Sequence, residues 1–236
     1  MPSLEPTGRA SEGAIQVELS RRSGEGSFAG IKAAYDFNGN DGYTLTDISK
    51  NGNNGEFYGN TVLLMNFDDG TADDKSAYNN DGSLIGGVDC GVAGINGKGC
   101  SFDGIDDYIG FTVPIDFPVS NGFSISLWFN WLGYSDGVAS MIFLIGNTHG
   151  TIGNNIELIV DPGNLIRFRA FGTSGPTYPL TTNNLYFITA TMTKNGEMRL
   201  YINGDLQGSP VAGNAITNLV VGNGYVGQYP TGIYNF

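Results

Sequence analysis

Nine aspartates fall between Asp68 and Asp107, and only Lys75 and Lys98 lie among them. Carboxylate, amide and carbonyl oxygens gathered on turns suit a hard divalent cation, and calcium takes about six to eight of them. The stretches "NNDG" (79–82) and "DGIDD" (103–107) make Asn80, Asp81, Asp103, Asp106 and Asp107 the candidate calcium ligands. The same residue types are also turn formers whose side chains bond their own backbone. No EF-hand spacing decides between the two readings. A second chemistry is aromatic stacking. In "FSISLWFNWL" (123–132), Phe123, Ile125, Leu127, Phe129 and Trp131 share one face of a strand and Trp128 falls on the other. On a sheet exterior, Trp128 would offer its indole to a sugar ring, and Tyr225 and Tyr229 in "NGYVGQYPTG" could do the same. Core or edge packing is the competing use of such aromatics.

Nucleophilic catalysis has little to work with. His149 is the single histidine and sits in "GNTHGTIG", a loop context in which an imidazole is ordinarily solvated. No Gly-rich phosphate loop precedes a helix, because no segment of ten or more residues keeps a helical period.

The two cysteines, Cys90 and Cys100, stand in "DCGVAGINGKGC" without the spacing of a zinc knuckle or a thioredoxin-type pair. The Gly-rich stretch between them can fold back, so a disulfide is expected, and with it an oxidising compartment or a hyperthermophile's cytosol. The chain has 236 residues, a net charge of −12 and no basic patch. A nucleic-acid partner is therefore not expected, since phosphate binding depends on clustered Lys and Arg. No run of about 18 apolar residues marks a membrane span, and "MPSLEPTGRASEGA" has no apolar signal core. If the protein is exported, its signal has been removed or lies outside this sequence.

The elements that must position these groups are strands. The chain is 40% hydrophobic, only 14% charged, and carries 37 glycines with dense asparagine. That composition describes short strands between tight turns, and so an all-β fold. "AIQVELS" (14–20) and "IKAAYDF" (31–37) read as strands, as does "TVLLMNFDDG" (61–70). "IELIV-DPGN-LIRFRAF" and "LYFITATMT-KNGE-MRLYING" read as hairpins, the second turning at Asn195-Gly196 as a type I′ turn. The stretch "SAYNNDGSLIGG" (76–87) echoes "SKNGNNGEFYGN" (49–60) at a shift of 27.

The ordered run "LLMNFDDG…DDKSAYNNDGSLIGG…GKGCSFDGIDDYIGF…FSISLWFN…YFITATMTKNGEMRLYINGDL" resembles the LamG-like jelly rolls of the concanavalin A-like lectin/glucanase superfamily. The matching pieces are Phe67–Asp68, Asn79–Gly82, Gly97 to Tyr108, Ser126–Trp128 and Leu200–Gly204. The resemblance implies an antiparallel jelly-roll sandwich of two sheets, an extracellular or cell-surface location and a glycan or cell-surface protein as partner, often with structural calcium. The superfamily's hydrolases generally carry Glu-x-Asp-x-x-Glu on one strand. That pattern is absent, and Glu157 and Asp161 in "ELIVD" do not replace it, so no enzyme is expected.

The resemblance also divides the chain. Residues 61–236 make the jelly roll and 1–60 an N-terminal β extension, because only the second echo is followed by the cysteine loop and "SFDG". The family's closing strand would begin at "TGIYNF", where this sequence ends, so either the chain is truncated there or "AIQVELS" or "IKAAYDF", from the same chain or a neighbouring copy, is expected to fill that place. Two functions follow as expectations. One is a non-catalytic extracellular binding or adhesion module for carbohydrate. The other is a structural subunit of an extracellular filament or surface assembly, joined to copies of itself by strand donation.

Overall fold

The structure is a computed structural model. It describes residues 61–76, 78–95, 97–112, 122–133, 139–146, 155–216 and 222–227, together with the backbone of 35–36, 44–47 and 55–56. In chain order the first strands are β1 (Tyr35–Asp36), β2 (Thr44–Asp47), β3 (Gly55–Glu56), β4 (Gly82–Ile85), β5 (Asp89–Ala93) and β6 (Lys98–Ser101). Next come β7 (Tyr108–Thr112), β8 (Gly122–Trp131), β9 (Ser140–Ile145), β10 (Ile156–Asp161), β11 (Leu165–Ala170) and β12 (Thr173–Pro179). The last are β13 (Asn184–Thr193), β14 (Glu197–Ile202), β15 (Asp205–Leu206), β16 (Val211–Ala212) and β17 (Asn223–Val226).

Two antiparallel sheets make the sandwich. One has seven strands in the order β12-β11-β10-β9-β17-β7-β4, and the other has the order β15-β14-β13-β8, with β16 joined to β14. Five of the nine pairings along these paths join strands consecutive in the chain, and four, β9–β17, β17–β7, β7–β4 and β13–β8, join strands distant in it, the crossings that close a jelly roll. Period-two alternation explains the core. On β13, Tyr186, Ile188, Ala190 and Met192 are buried, and on β14 so are Met198, Leu200 and Ile202. They meet Ile156, Leu158 and Val160 of β10 and Ile166, Phe168 and Ala170 of β11 in one cluster. Each such side chain stabilises by about 1.5–3 kcal/mol where it is large and fully buried. The two sheets are pinned at one end by Trp131 of β8, whose Nε1–H donates to Asn164 Oδ1 at 2.9 Å in the β10–β11 turn.

The two hairpins form as expected, but one turn differs. Pro162 and Gly163 occupy the corner between β10 and β11, Gly163 with φ 92°. At the β13–β14 turn only Gly196 has positive φ (92°), and its N–H donates to Thr193 O at 2.9 Å. A type I′ turn needs positive φ at both central residues. Here Lys194 and Asn195 make an ordinary turn, and Gly196 supplies the left-handed residue that follows it.

A second correction concerns residues 61–70, expected as a strand. They carry no strand assignment and pair with no ladder among the described residues. The alternation survives without the ladder: Leu63 and Met65 pack against the main core, while Leu64 is exposed. Side-chain bonds take over part of the backbone pairing, with Leu64 N–H donating to Asp74 Oδ1 at 2.8 Å and Asn80 Nδ2 donating to Val62 O at 2.7 Å. In the echo, Gly55 and Gly82 each open a strand, β3 and β4, but in different sheets. Among the described residues β1, β2 and β3 pair with one another and with no other strand. "AIQVELS" and "TGIYNF" lie outside the described residues.

Cys90 and Cys100 form the expected disulfide across the β5–β6 ribbon. Cys90 is buried in a small second cluster with Ala72, Val88 and Ile109, against which Phe67 and Phe102 pack. Replacing both cysteines by serine should lower the unfolding free energy by about 2.5–3 kcal/mol, from the closure entropy of so short a loop. Urea denaturation of the double variant against the parent, both without reductant, measures this. An unchanged midpoint and slope would show that the bridge constrains nothing the rest of the fold does not already hold.

Candidate functional site

The register of β8 against β13 decides what the outer face of the shorter sheet presents. Trp128 pairs with Phe187, Ser126 with Thr189, Ser124 with Thr191 and Asn130 with Leu185. β14 continues the rows, with Tyr201 opposite Thr189 and Arg199 opposite Thr191, and Leu206 of β15 lies opposite Tyr201. Trp128 is therefore on the sheet exterior, 52% exposed. Its ring rests on Phe187, with centroids 4.9 Å apart and planes at 34°, which fixes the indole and leaves one broad side to solvent. Leu185 (43%) and Leu206 (45%) extend the apolar surface. Phe187, Tyr201 and Leu206 had not been singled out in the sequence. The alternation of "LYFITATMT" already places Phe187 outward, but only the long-range register shows that it backs Trp128.

The opposite exterior is a different surface. A single row crosses all seven strands through Ser83, Gly110, Tyr225, Leu144, Glu157, Arg169 and Ser174. Although this face points away from the main core, Met141, Leu144 and Ile159 are buried on it as a separate cluster with Tyr225 against them. Tyr225 also meets Tyr108 edge to face at 6.2 Å. Tyr225 and Trp128 thus lie on opposite exteriors of the sandwich and cannot serve one ligand ring. Tyr229 and His149 lie outside the described residues.

The carboxylates of this face are already engaged. Glu157, fully buried, accepts from Asn155 Nδ2 at 3.2 Å and pairs with Arg169 at 3.3 Å, while Asp161 pairs with Arg167 at 2.6 Å. Each carboxylate thus has an arginine partner that compensates its charge.

The acidic segment divides into local tasks. Asp74, 5% exposed, accepts four hydrogen bonds, from Leu64 N–H (2.8 Å), Ser76 N–H (2.9 Å), Ser76 Oγ–H (2.7 Å) and Asn80 N–H (2.8 Å). Asp81 Oδ1 accepts from Asp74 N–H at 2.9 Å. Asp69 and Asp73 both bind Lys75, at 2.7 and 3.4 Å. The Lys75 ammonium, helped by the Thr71 hydroxyl, holds the Asp69 carboxyl well below the usual range, and Asp69 in turn raises Lys75.

Of the five candidate calcium ligands, the structure gathers Asp103, Asp106 and Asp107, whose ligand oxygens all lie within 4.8 Å of one another. A cation could be held there. Asp81 is not in this group, and Asn80 and Asp81 bond instead to the 62–74 segment. Asp107, 5% exposed, already accepts from Gly87 N–H and, at 2.8 Å, from Asp103 N–H. Asp103 Oδ1 caps its own loop by accepting from Ile105 N–H at 2.8 Å. Gly86 (φ +86°) has to be glycine here, because a Cβ would come within 2.6 Å of Asp106 O and Asp107 Oδ1. Asp107 and Asp103 already spend carboxylate oxygens on backbone N–H groups, so a calcium ion held here would draw the rest of its roughly six to eight oxygens from backbone carbonyls or water.

Two antiparallel sheets packed as a sandwich, with strand order crossing between distant parts of the chain, define a jelly-roll domain. The family comparison makes this specific: residues 102–235 match the Laminin_G_3 model, and the chain belongs to the concanavalin A-like lectin/glucanases superfamily. Among solved structures it is similar to the receptor binding domain of botulinum neurotoxin mosaic serotype C/D, with a TM-score of 0.52 and 18% identity. That match covers 65% of this chain and 39% of the other, so this chain spans about two fifths of the toxin domain's length. The binding domain of botulinum neurotoxin DC in complex with SialylT matches with a TM-score of 0.51 and 17% identity, over 71% and 44%. Domain 4 of AbnA, an extracellular arabinanase from Geobacillus stearothermophilus, matches with a TM-score of 0.49 and 18% identity, over 68% and 80%. No curated protein matches the chain in sequence. Among the described residues no helix is long and apolar enough to cross a membrane.

The two roles of the aspartates separate in calcium-free solution. Asp107→Ala in EDTA should cost about 1–3 kcal/mol, because two loop N–H groups lose their acceptor. Asp106→Ala should change stability by less than about 0.5 kcal/mol, as exposed substitutions usually do. Equal losses from the two variants, measured by urea denaturation, would contradict this division.

Proposed function

We propose that the chain is a non-catalytic, secreted binding module that takes carbohydrate on the outer face of its five-stranded sheet. The carrying observation is Trp128, half exposed yet fixed against Phe187. Sugar rings present C–H groups on their broad faces, and an immobilised indole meets them over a large area without losing rotamer freedom on binding. The disulfide supports an oxidising compartment. The arginine-paired Glu157 and Asp161 support a role without catalysis. The toxin receptor-binding domains show that the fold hosts binding functions, and the fold alone assigns no ligand.

The same reading keeps 61–236 as the binding domain and 1–60 as an extension, supported by the pairing of β1, β2 and β3 with one another among the described residues. A calcium ion, if bound, would sit at Asp103, Asp106 and Asp107. It would brace the loop against the Gly86–Gly87 turn rather than touch a ligand at Trp128.

A specific observation favours strand donation between copies as the second reading. Phe123, Ile125 and Leu127 of β8 face inward but stay only half-buried, whereas the inward residues of β13 and β14 are buried. The β8 side of the core therefore has room for more cover.

A glycan array followed by affinity electrophoresis tests the first reading. Trp128→Ala should weaken binding about tenfold or more, the effect expected of a central aromatic anchor, with circular dichroism unchanged. Retained affinity in that variant would remove the platform. Concentration-dependent polymers that disappear on deleting residues 1–30, with no glycan binder, would favour the second reading instead.

A further inference from the structure

Beside the aromatic row, the outer face of the five-stranded sheet carries a second ordered feature. Ser124 and Ser126 of β8 lie opposite Thr191 and Thr189 of β13, and Thr193 continues the line. All five hydroxyl residues are exposed or half-exposed, so none is used by the core. Strand geometry sets them on a lattice, about 4.8 Å between strands and about 6.8 Å between alternate residues. Ser126 and Thr189 share one hydrogen bond, at 3.0 Å, which orients both and leaves each with unused capacity, since a hydroxyl has one donor and two acceptor positions. The lattice adjoins Trp128 and Phe187 directly, with Tyr201 opposite Thr189 at its margin.

Charge narrows the partner. Among the described residues of these rows, Arg199 and Glu197 are the charged pair, and they neutralise each other at 2.5 Å. The face is locally neutral on a chain whose net charge is −12, so a polyanion gains nothing from the face and is repelled by the rest. A second copy of the chain would suit the aromatic part. The hydroxyl part does not suit it, because protein interfaces are depleted in serine.

We propose that this face binds an uncharged polysaccharide along the strands. Trp128 on Phe187 would stack one ring, and the Ser124, Ser126, Thr189 and Thr191 hydroxyls would hydrogen-bond the hydroxyls of the residues that follow. This rests on the Trp128 reading and adds the chemical class of ligand and the direction it lies. A neutral chain supplies hydroxyls that donate and accept, as the lattice does, so each contact can be satisfied in either sense.

The test measures the intact chain by affinity electrophoresis against a mixed-linkage β-glucan and a galactomannan as neutral probes, and polygalacturonate and alginate as acidic ones. The variants are Trp128→Ala and the double variant Thr189→Val/Thr191→Val, which keeps the β-branched shape and removes only the hydroxyls. A neutral probe should bind, and the double variant should lose about tenfold in affinity, the worth of two modest hydrogen bonds. Preference for the acidic probes would overturn the proposal. So would a double variant that binds like the parent while Trp128→Ala does not; that result leaves the Trp128 platform standing and removes the hydroxyl lattice. Binding to no probe, with a dimer in analytical ultracentrifugation that Trp128→Ala dissolves, would overturn both readings in favour of a second copy.

Discussion

Side chains alternate along a β-strand, so a residue cannot be buried on one face without sending its neighbours to the other. The exposure of Trp128 follows from this constraint. Leu127 packs on the core and Phe129 is buried within it, which leaves the indole between them facing out. On β13 the burial of Tyr186 and Ile188 sends Phe187 outward by the same logic, and the pairing of Trp128 with Phe187 then follows from a single register. A shift of one residue in that register would move Trp128 into the core and Phe129 into water. Core and platform are two consequences of one alignment, so the platform is as firmly specified as the core behind it.

The acidic segment obeys a different constraint. Loops that run over a sandwich without ladder partners still need acceptors for their N–H groups, because an unpaired buried group costs about 1–3 kcal/mol. Asp74 and Asp107 meet that need from buried positions, Asp74 for the segment at Leu64, Ser76 and Asn80, and Asp107 for the Gly86–Gly87 turn and its own loop. This is why so many aspartates can stand together on a chain with few bases. At the surface, Asp69 and Asp73 are partnered by Lys75, Asp89 and Asp103 cap their own loops and Asp68 accepts from Lys98 N–H, while the buried ones are held by backbone donors. A cluster that reads in sequence as a cation site is, for most of its members, a set of backbone acceptors.

The fold was legible because both of its signals are local. Alternation in "FSISLWFNWL" and "LYFITATMT" gives β8 and β13 with the correct inward faces, and the cysteine spacing gives the disulfide. What was not legible depends on partners far along the chain. "TVLLMNF" has the composition of a strand, yet whether it joins a ladder is decided elsewhere, and among the described residues it does not. Tyr225 and Trp128 look equivalent as exposed aromatics on strands, but strand order places them on opposite sheets. The Asn195-Gly196 pair satisfies the composition of a type I′ turn without its φ values, because Thr193 and Gly196 close a hydrogen bond one residue earlier.

The two exteriors of the sandwich also explain where binding can occur. The seven-stranded sheet has the larger area, but its outer face is occupied: Met141, Leu144 and Ile159 are buried on it, and Glu157 sits at the same level in a pair with Arg169. A ligand approaching there would have to displace apolar contacts and then expose or replace a buried ion pair, and breaking such a pair costs several kcal/mol. The five-stranded sheet imposes no such cost. Its outer face is carried by continuous ladders from β8 to β15, its Trp128–Phe187 pair is fixed before any partner arrives, and the Glu197–Arg199 ion pair on it is compensated internally. Binding there loses little conformational entropy and strips little charge of water, and this economy, rather than the amount of exposed area, makes the smaller sheet the better candidate.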